Sequence, residues 1–124
     1  MTVRKIEIKK NDENRAILSG TVVSPVELKQ TRIGIPVVDI MLSVKGLDAD
    51  EDLIPCRMKG AESVFLSREC REGDYISISG SVKSYKRRDK YGNEYNNIYI
   101  LISDYCVAER KPKPKITDLV NDDL

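Results

Sequence analysis

Strict alternation of apolar and polar residues runs through this chain and limits the folds that it can adopt. The clearest run is residues 35–45, in which Val38, Ile40, Leu42 and Val44 fall on one side. Side chains that recur at every second position share one face of a β-strand. Because similar runs follow one another along the sequence, we predict an all-β protein.

Five segments are predicted to be strands, and one short segment between them has helical spacing. Ala61, Val64 and Phe65 recur at that spacing and predict a short amphipathic helix over residues 61–68. Three strands, a helix and two strands are the order of a five-stranded OB-fold barrel, in which the last two strands form an extended hairpin. A split sandwich is the alternative. The predicted strands cover residues 15–23, 35–45, 53–58, 75–88 and 95–107, and residues 3–8 could add a short strand.

The chain length of 124 residues fits one domain with one modest core. We expect an N-terminal extension over residues 1–13, the barrel over residues 14–108, and a linker with an acidic tail over residues 109–124. The sequence KPKPK supports the linker, because proline cannot donate a hydrogen bond into a sheet. Gly20, inside the first predicted strand, predicts a bulge or a sharp bend.

Several classes of protein are disfavoured by what the sequence lacks. No apolar run is long enough to span a membrane, and the N-terminus has no apolar signal core, so we expect a cytoplasmic protein. There is no histidine, and the three cysteines form no CxxC pair, which disfavours zinc sites and histidine-dependent nucleophiles. We therefore predict no enzymatic activity, no metal and no cofactor. The cysteines are expected to be buried or half-buried reduced thiols.

Positive charge and aromatic rings are concentrated in the last predicted hairpin, although the net charge of the chain is only +1. Local segregation of charge says more about binding than this small sum does. The cluster contains Lys83, Lys86, Arg87, Arg88 and Lys90, together with Tyr85, Tyr91, Tyr95 and Tyr99.

Alternation assigns most of these side chains to one face. Ile76 and Ile78 must face the core, so the outer set of their strand continues through Lys83, Tyr85 and Arg87. In the last strand Ile98, Ile100 and Ile102 form the core set. The outer set there is Tyr95, Asn97, Tyr99 and Leu101.

The turn between these strands decides which residues face each other. A two-residue turn at Gly92-Asn93 would place Tyr85 opposite Ile100, an outer residue against a core residue. We therefore predict a three-residue loop over residues 91–93, or a bulge in the hairpin. That register sets Tyr85 beside Tyr99 and Arg87 beside Asn97.

Three interpretations of this exposed strip compete. Tyrosine is a good strand former and lysine keeps strand edges soluble, so the strip could be an ordinary surface. It could also be a self-association surface. Bases stack on aromatic rings and phosphates follow cations, so the third interpretation is a site for single-stranded nucleic acid. The clustering of both residue types on one face favours the third.

The blocks AILSGTVVSPVEL, GIPVVDIML, LIPCRMKGAE and EGDYISISGSVKSY resemble the bacterial single-stranded DNA-binding protein family, which includes primosomal replication protein N. The resemblance covers residues 14–107. It implies an OB barrel without enzymatic activity that binds single-stranded DNA in replication, recombination or repair. It also implies a homodimer or homotetramer, with residues 15–23 as the dimer edge.

The family's binding face comprises its second and third strands and its last hairpin. Carried over by position, it corresponds to Lys45, Arg57, Lys59, Lys83, Tyr85, Arg87, Tyr95 and Tyr99. Lys86, Arg88, Tyr91 and Asn97 complete the predicted interface. The family stacks bases on tryptophan, which this chain lacks, so stacking must depend on tyrosine.

The acidic end of the chain resembles the tail with which replicative members of the family recruit replication and repair enzymes. The residues predicted to bind such partners are Asp118, Asp122, Asp123 and Leu124. The alternatives are a solvated terminus or a short helix docked on the barrel. For the whole chain, the alternative functions are a primosome-type adaptor that acts through protein partners and an RNA-binding OB module.

Overall fold

The computed structural model describes residues 11–110, and five of its six strands close into a ring. The strands are β1 (Ala16–Val22), β2 (Leu28–Gln30), β3 (Pro36–Lys45), β4 (Glu51–Lys59), β5 (Tyr75–Arg88) and β6 (Glu94–Val107), and the helix is α1 (Ala61–Glu69). The ring runs β1-β5-β6-β4-β3 and closes where Thr21 and Val22 of β1 pair with β3. This confirms the predicted OB-type barrel with its helix between the third and fourth barrel strands.

Strand β2 was not predicted from the sequence. It pairs with the first three residues of β3 and lies outside the ring. Its sequence, Leu-Lys-Gln, is too short to show alternation, and all three side chains are exposed. The predicted strand at residues 3–8 and the acidic tail lie outside the described residues.

The core lies inside the ring and is closed at one end by α1. Val22, Val38, Leu42 and Ile76 are fully buried, as the alternation predicted, and Leu66 of α1 packs against them. The predicted helix is confirmed, but its predicted face is wrong. Ser63 and Leu66 are buried and Phe65 is exposed, because the Ser63 hydroxyl donates to the Gly60 carbonyl and so satisfies its polar group inside the protein.

A bulge in the β5–β6 ladder reverses the inner and outer faces at the end of β6. The register shifts between Ser79 and Gly80, after which Tyr105 and Val107 pack on the core. Cys106 is therefore exposed, so the prediction that all three cysteines are shielded is wrong for this one. Cys56 and Cys70 are buried, and burial raises their thiol pKa values to about 12 and about 11.

An ion pair fastens the segment that follows β6 to the turn before β5. Arg110 donates from Nε and Nη2 to the two carboxylate oxygens of Asp74, at 2.8 and 2.7 Å. The backbone N–H of Arg71 donates to the same carboxylate at 2.8 Å, and Arg110 also donates to the Glu69 carbonyl. These bonds, chiefly the one from Arg110, lower the pKa of Asp74 below its ordinary value.

Asp74→Asn is expected to lower the free energy of unfolding at pH 7 by about 1–3 kcal/mol, because it weakens a buried, charge-assisted set of hydrogen bonds. A lowered native pKa gives stability that is present above the unfolded pKa of about 3.9 and is lost as pH falls through the native value. Urea unfolding between pH 7 and pH 2 should therefore show a smaller acid loss in the variant. Glu72→Gln, two residues away in the same turn and exposed, is the control. Identical pH curves for Asp74→Asn and the native chain would contradict this role.

No helix in the part of the chain that the structure describes is long and apolar enough to cross a membrane.

Candidate nucleic-acid interface

A cleft of about 610 Å³ opens where the β3–β4 hairpin and the β5–β6 hairpin separate. Strands β4 and β6 pair in parallel only at Cys56–Ile100 and Arg57–Leu101. Beyond Val82 and Ile100, residues 83–99 continue away from the ring as a two-stranded ribbon, here called the hairpin arm. The cleft between arm and barrel is lined by Ser24, Asp39, Ile40, Met41, Pro55, Cys56, Arg57, Tyr85, Arg87, Ile98 and Tyr99.

The loop of the hairpin arm has the predicted length but begins one residue early. The Asp89 N–H donates to the Asn93 carbonyl, so the loop is residues 90–92, and Gly92 takes the positive φ of 83° that such a loop needs. The Asp89 carboxylate accepts hydrogen bonds from the Tyr91 and Asn93 N–H groups and holds the turn in this position.

This shift makes the predicted cross-strand pairs wrong by two residues, although the predicted face is retained. Tyr85 lies opposite Asn97, which donates to the Tyr85 hydroxyl at 3.3 Å, and Lys83 lies opposite Tyr99. Arg87 lies opposite Tyr95. A shift of two residues keeps every side chain on its own face, whereas a shift of one would have reversed them.

Tyr85 and Tyr99 form an aromatic pair at the base of the hairpin arm. Their ring centroids are 5.9 Å apart at 57°, a diagonal contact across the two strands. The guanidinium of Arg87 lies 6.0 Å from the Tyr85 ring. Rings and cation together form one wall of the cleft. The predicted contact between the two tyrosines is present, and the pair offers a stacking surface beside a positive charge.

Arg57 stands beside this pair but is already bound to a carboxylate. It donates from Nε and Nη2 to Oδ1 and Oδ2 of Asp39, at 2.6 and 2.9 Å, and the hydrogen bond raises the pKa of Arg57. The two residues lie directly opposite in the β3–β4 ladder. Sequence reasoning missed Asp39. The signal was available, because alternation in β3 places Asp39 on the outer face.

The remaining predicted residues are spread more widely than the sequence suggested. Lys45 and Lys59 lie at opposite ends of the β3–β4 ladder. The two ends are eight residue pairs, or about 27 Å, apart. Lys86 and Arg88 alternate with Tyr85 and Arg87, so they face the other side of the hairpin arm, and Arg88 pairs with Glu94.

The tip of the hairpin arm and the lining of the cleft add apolar surface. Tyr91 is 77% exposed at the tip, with the Lys90 ammonium 5.1 Å from its ring. Ile98 was predicted to be a core residue, but it is 60% exposed. The core ends at Ile100, and Ile98 lies in the arm opposite Ser84, where no barrel interior remains to cover it.

The closed ring defines the class of OB-fold proteins, and its paired tyrosines and cations form a surface suited to single-stranded nucleic acid. Residues 13–107 match the model of the single-strand binding protein family, and the chain belongs to that family. It is therefore an OB-fold member of the single-strand binding protein family.

Among solved structures, the fold is similar to the dimeric N-terminal domain of PriB protein from Thermoanaerobacter tencongensis. The TM-score is 0.60 at 21% sequence identity, over 78% of this chain and 98% of that one. A comparison with curated proteins gave no significant match.

Proposed function

We propose that this protein binds single-stranded DNA with little sequence preference, in the cytoplasm, during replication, recombination or repair, and that it acts by binding and not by catalysis. The observation that carries the proposal is the Tyr85–Tyr99 pair, 5.9 Å between centroids, beside Arg87 in an open cleft. Aromatic faces stack on any base, and cations follow the backbone. Membership of the single-strand binding protein family supports the same substrate.

Charge pairing separates the cations that are free to bind phosphates from those that are not. Among the residues that the structure describes, Arg57 and Arg88 are in ion pairs, with Asp39 and Glu94. Lys83 and Arg87 have no such partner there, and both lie on the tyrosine face of the hairpin arm. We assign the main phosphate contacts to these two residues.

The double variant Lys83→Ala/Arg87→Ala is expected to flatten the dependence of log affinity on log salt by on the order of one, reaching about 1.4 when both phosphate contacts are lost. Each phosphate contact on a single strand contributes roughly 0.7 to that slope through counterion release. The measurement is a titration with single-stranded DNA at several salt concentrations. Lys29→Ala/Arg68→Ala, on β2 and at the end of α1, removes two exposed cations elsewhere and should leave the slope near the native value. A native slope combined with lost affinity would show that Lys83 and Arg87 act on folding.

The substrate class is tested by titrating the native chain with single-stranded DNA, single-stranded RNA and duplex DNA of equal length. Tight binding to single-stranded DNA, with weaker binding to the duplex, is the expected order. Preference for RNA would favour the RNA-binding alternative. No binding to any of the three would favour an adaptor that acts through proteins.

We further propose that the protein is a homodimer or homotetramer assembled through β1. Residues 16–20 of β1 pair only with β5 within the described part of the chain, and Ile17 is 72% exposed beside that edge. An uncovered strand edge with an apolar side chain favours pairing with a second copy.

Ile17→Asp is expected to lower the measured mass at micromolar concentration to that of a monomer, because a charge there would be buried in the interface. Light scattering or analytical ultracentrifugation gives the mass. Ile33→Asp, in an exposed loop at 81% exposure, is the matched control and should keep the native mass. A native chain that is already monomeric would contradict the proposed assembly.

The role of the acidic tail stays a prediction, because its residues lie outside the described part of the chain. We propose that Asp118, Asp122, Asp123 and Leu124 bind replication or repair enzymes.

A further inference from the structure

The ion pair between Asp39 and Arg57 lines the same cleft as the aromatic pair. Both side chains remain partly exposed, at 45% for Asp39 and 37% for Arg57. A guanidinium has five N–H donors and a carboxylate has about four acceptor sites. Because the pair uses two of each, Asp39 still offers acceptors and Arg57 still offers donors to a molecule in the cleft.

The contribution of this pair to the fold is small. Exposed ion pairs stabilise proteins weakly, and the β3–β4 ladder continues for several residues on both sides of Asp39. A carboxylate on a face that binds DNA also repels phosphates and neutralises Arg57 as a phosphate contact. Contact with the edges of the bases is therefore the interaction through which Asp39 can favour binding.

The arrangement places a fixed acceptor next to a stacking surface. A base that stacks on Tyr85 or Tyr99 lies flat against a ring, so its edge is turned to the other residues that line the cleft, and Asp39 is one of them. Unstacked bases on single strands are read through hydrogen bonds to such edges. Arg57 holds the carboxylate by two bonds, which fixes the direction of its free acceptor sites.

We propose that Asp39, held by Arg57, accepts a hydrogen bond from the exocyclic amino group of a base in this cleft and so selects cytosine over thymine at that position. This inference rests on the proposed binding of single-stranded DNA. Cytosine presents the N4 amino donor where thymine presents the O4 acceptor. An ionised carboxylate has no donor to offer O4, so a thymine in the same position sets two acceptors against each other. It would have to move along its edge to offer the N3 N–H to Asp39 instead.

The test compares oligo(dC) and oligo(dT) of equal length at one salt concentration, in the native chain and in Asp39→Asn. The asparagine amide both donates and accepts, so it can bond to either base. The ratio of dC affinity to dT affinity is expected to fall by about 5-fold in Asp39→Asn, the low end of the range for a single base contact. Glu62→Gln removes one negative charge on α1, outside the cleft lining, and should keep the native ratio.

The outcomes separate the inference from the proposed function. If the ratio of dC affinity to dT affinity is equal in the native chain and the variant, base selection is overturned while DNA binding stands. If, in addition, both oligonucleotides bind the variant more tightly, Asp39 acts only through its charge. If the native chain binds neither oligonucleotide, the proposed function itself fails, and the inference fails with it.

Discussion

Alanine at Tyr85 or at Tyr99 is expected to weaken binding of single-stranded DNA by about 1–3 kcal/mol for each ring, because each substitution removes one stacking surface. The loss should be similar for pyrimidine and purine strands, since every base has a π-face. The two rings touch, so the double variant should lose less than the sum of the single losses. The measurement is a binding titration at fixed salt, with each variant first shown to unfold like the native chain.

Two controls distinguish stacking from other roles of these tyrosines. Phenylalanine at either position keeps the ring and should keep most of the affinity. If phenylalanine is as damaging as alanine, the hydroxyl group carries the effect, and the Asn97–Tyr85 hydrogen bond becomes the better explanation. Tyr75→Ala removes an exposed tyrosine from the outer face at the other end of β5, ten residues or about 33 Å from Tyr85, and should leave binding unchanged.

Gly20→Ala is expected to be among the most destabilising single changes in the barrel, at about 3 kcal/mol or more, because a Cβ at this position would overlap the Ser43 carbonyl oxygen. Backbone atoms cannot move away as a flexible side chain can. The φ angle of Gly20 is not in the positive region, so the cost comes from close approach and not from backbone conformation. Urea denaturation with far-UV circular dichroism measures the free energy of unfolding.

Gly46→Ala is the matched control for this prediction. A Cβ at Gly46 would meet only the end of the Asp48 side chain, at 3.2 Å, which can rotate aside. This change should therefore cost less than about 1 kcal/mol, in line with ordinary surface substitutions. A similar small loss in Gly20→Ala would show that β1 and β3 can separate without cost, contrary to the tight closure of the ring.

The glycine in β1 shows how little a local signal says about its cause. Its position inside a strand predicted a bulge or a sharp bend, and the bulge is wrong, because the β1–β5 ladder passes through Gly20 without a register shift. The bulge lies instead at Ser79/Gly80. Gly20 is needed because the ring closes there and the backbone of β3 crosses close by. Which strand approaches a given glycine depends on the whole topology, and no local pattern contains it.

In the hairpin arm, too, one feature was predicted from the sequence and another was not. Alternation placed Lys83, Tyr85, Arg87 and Tyr99 on one outer face, and the structure has them there. The position of the turn depended on the Asp89 carboxylate, which accepts two backbone hydrogen bonds across the loop. Glycine alone did not specify it, because several loops of similar length can place a glycine at positive φ.

The sequence by itself determined the all-β class, the order of the barrel strands and the helix, most of the core and the face on which the tyrosines lie. Each of these follows from the spacing of side chains along one strand or helix, which is a local property. Only the tertiary structure decided that Arg57 is neutralised by Asp39, that Ile98 leaves the core and that Cys106 becomes exposed. These depend on which strands pair, where a bulge shifts their register and where the barrel ends, because contacts between strands are set by residues far apart in the chain.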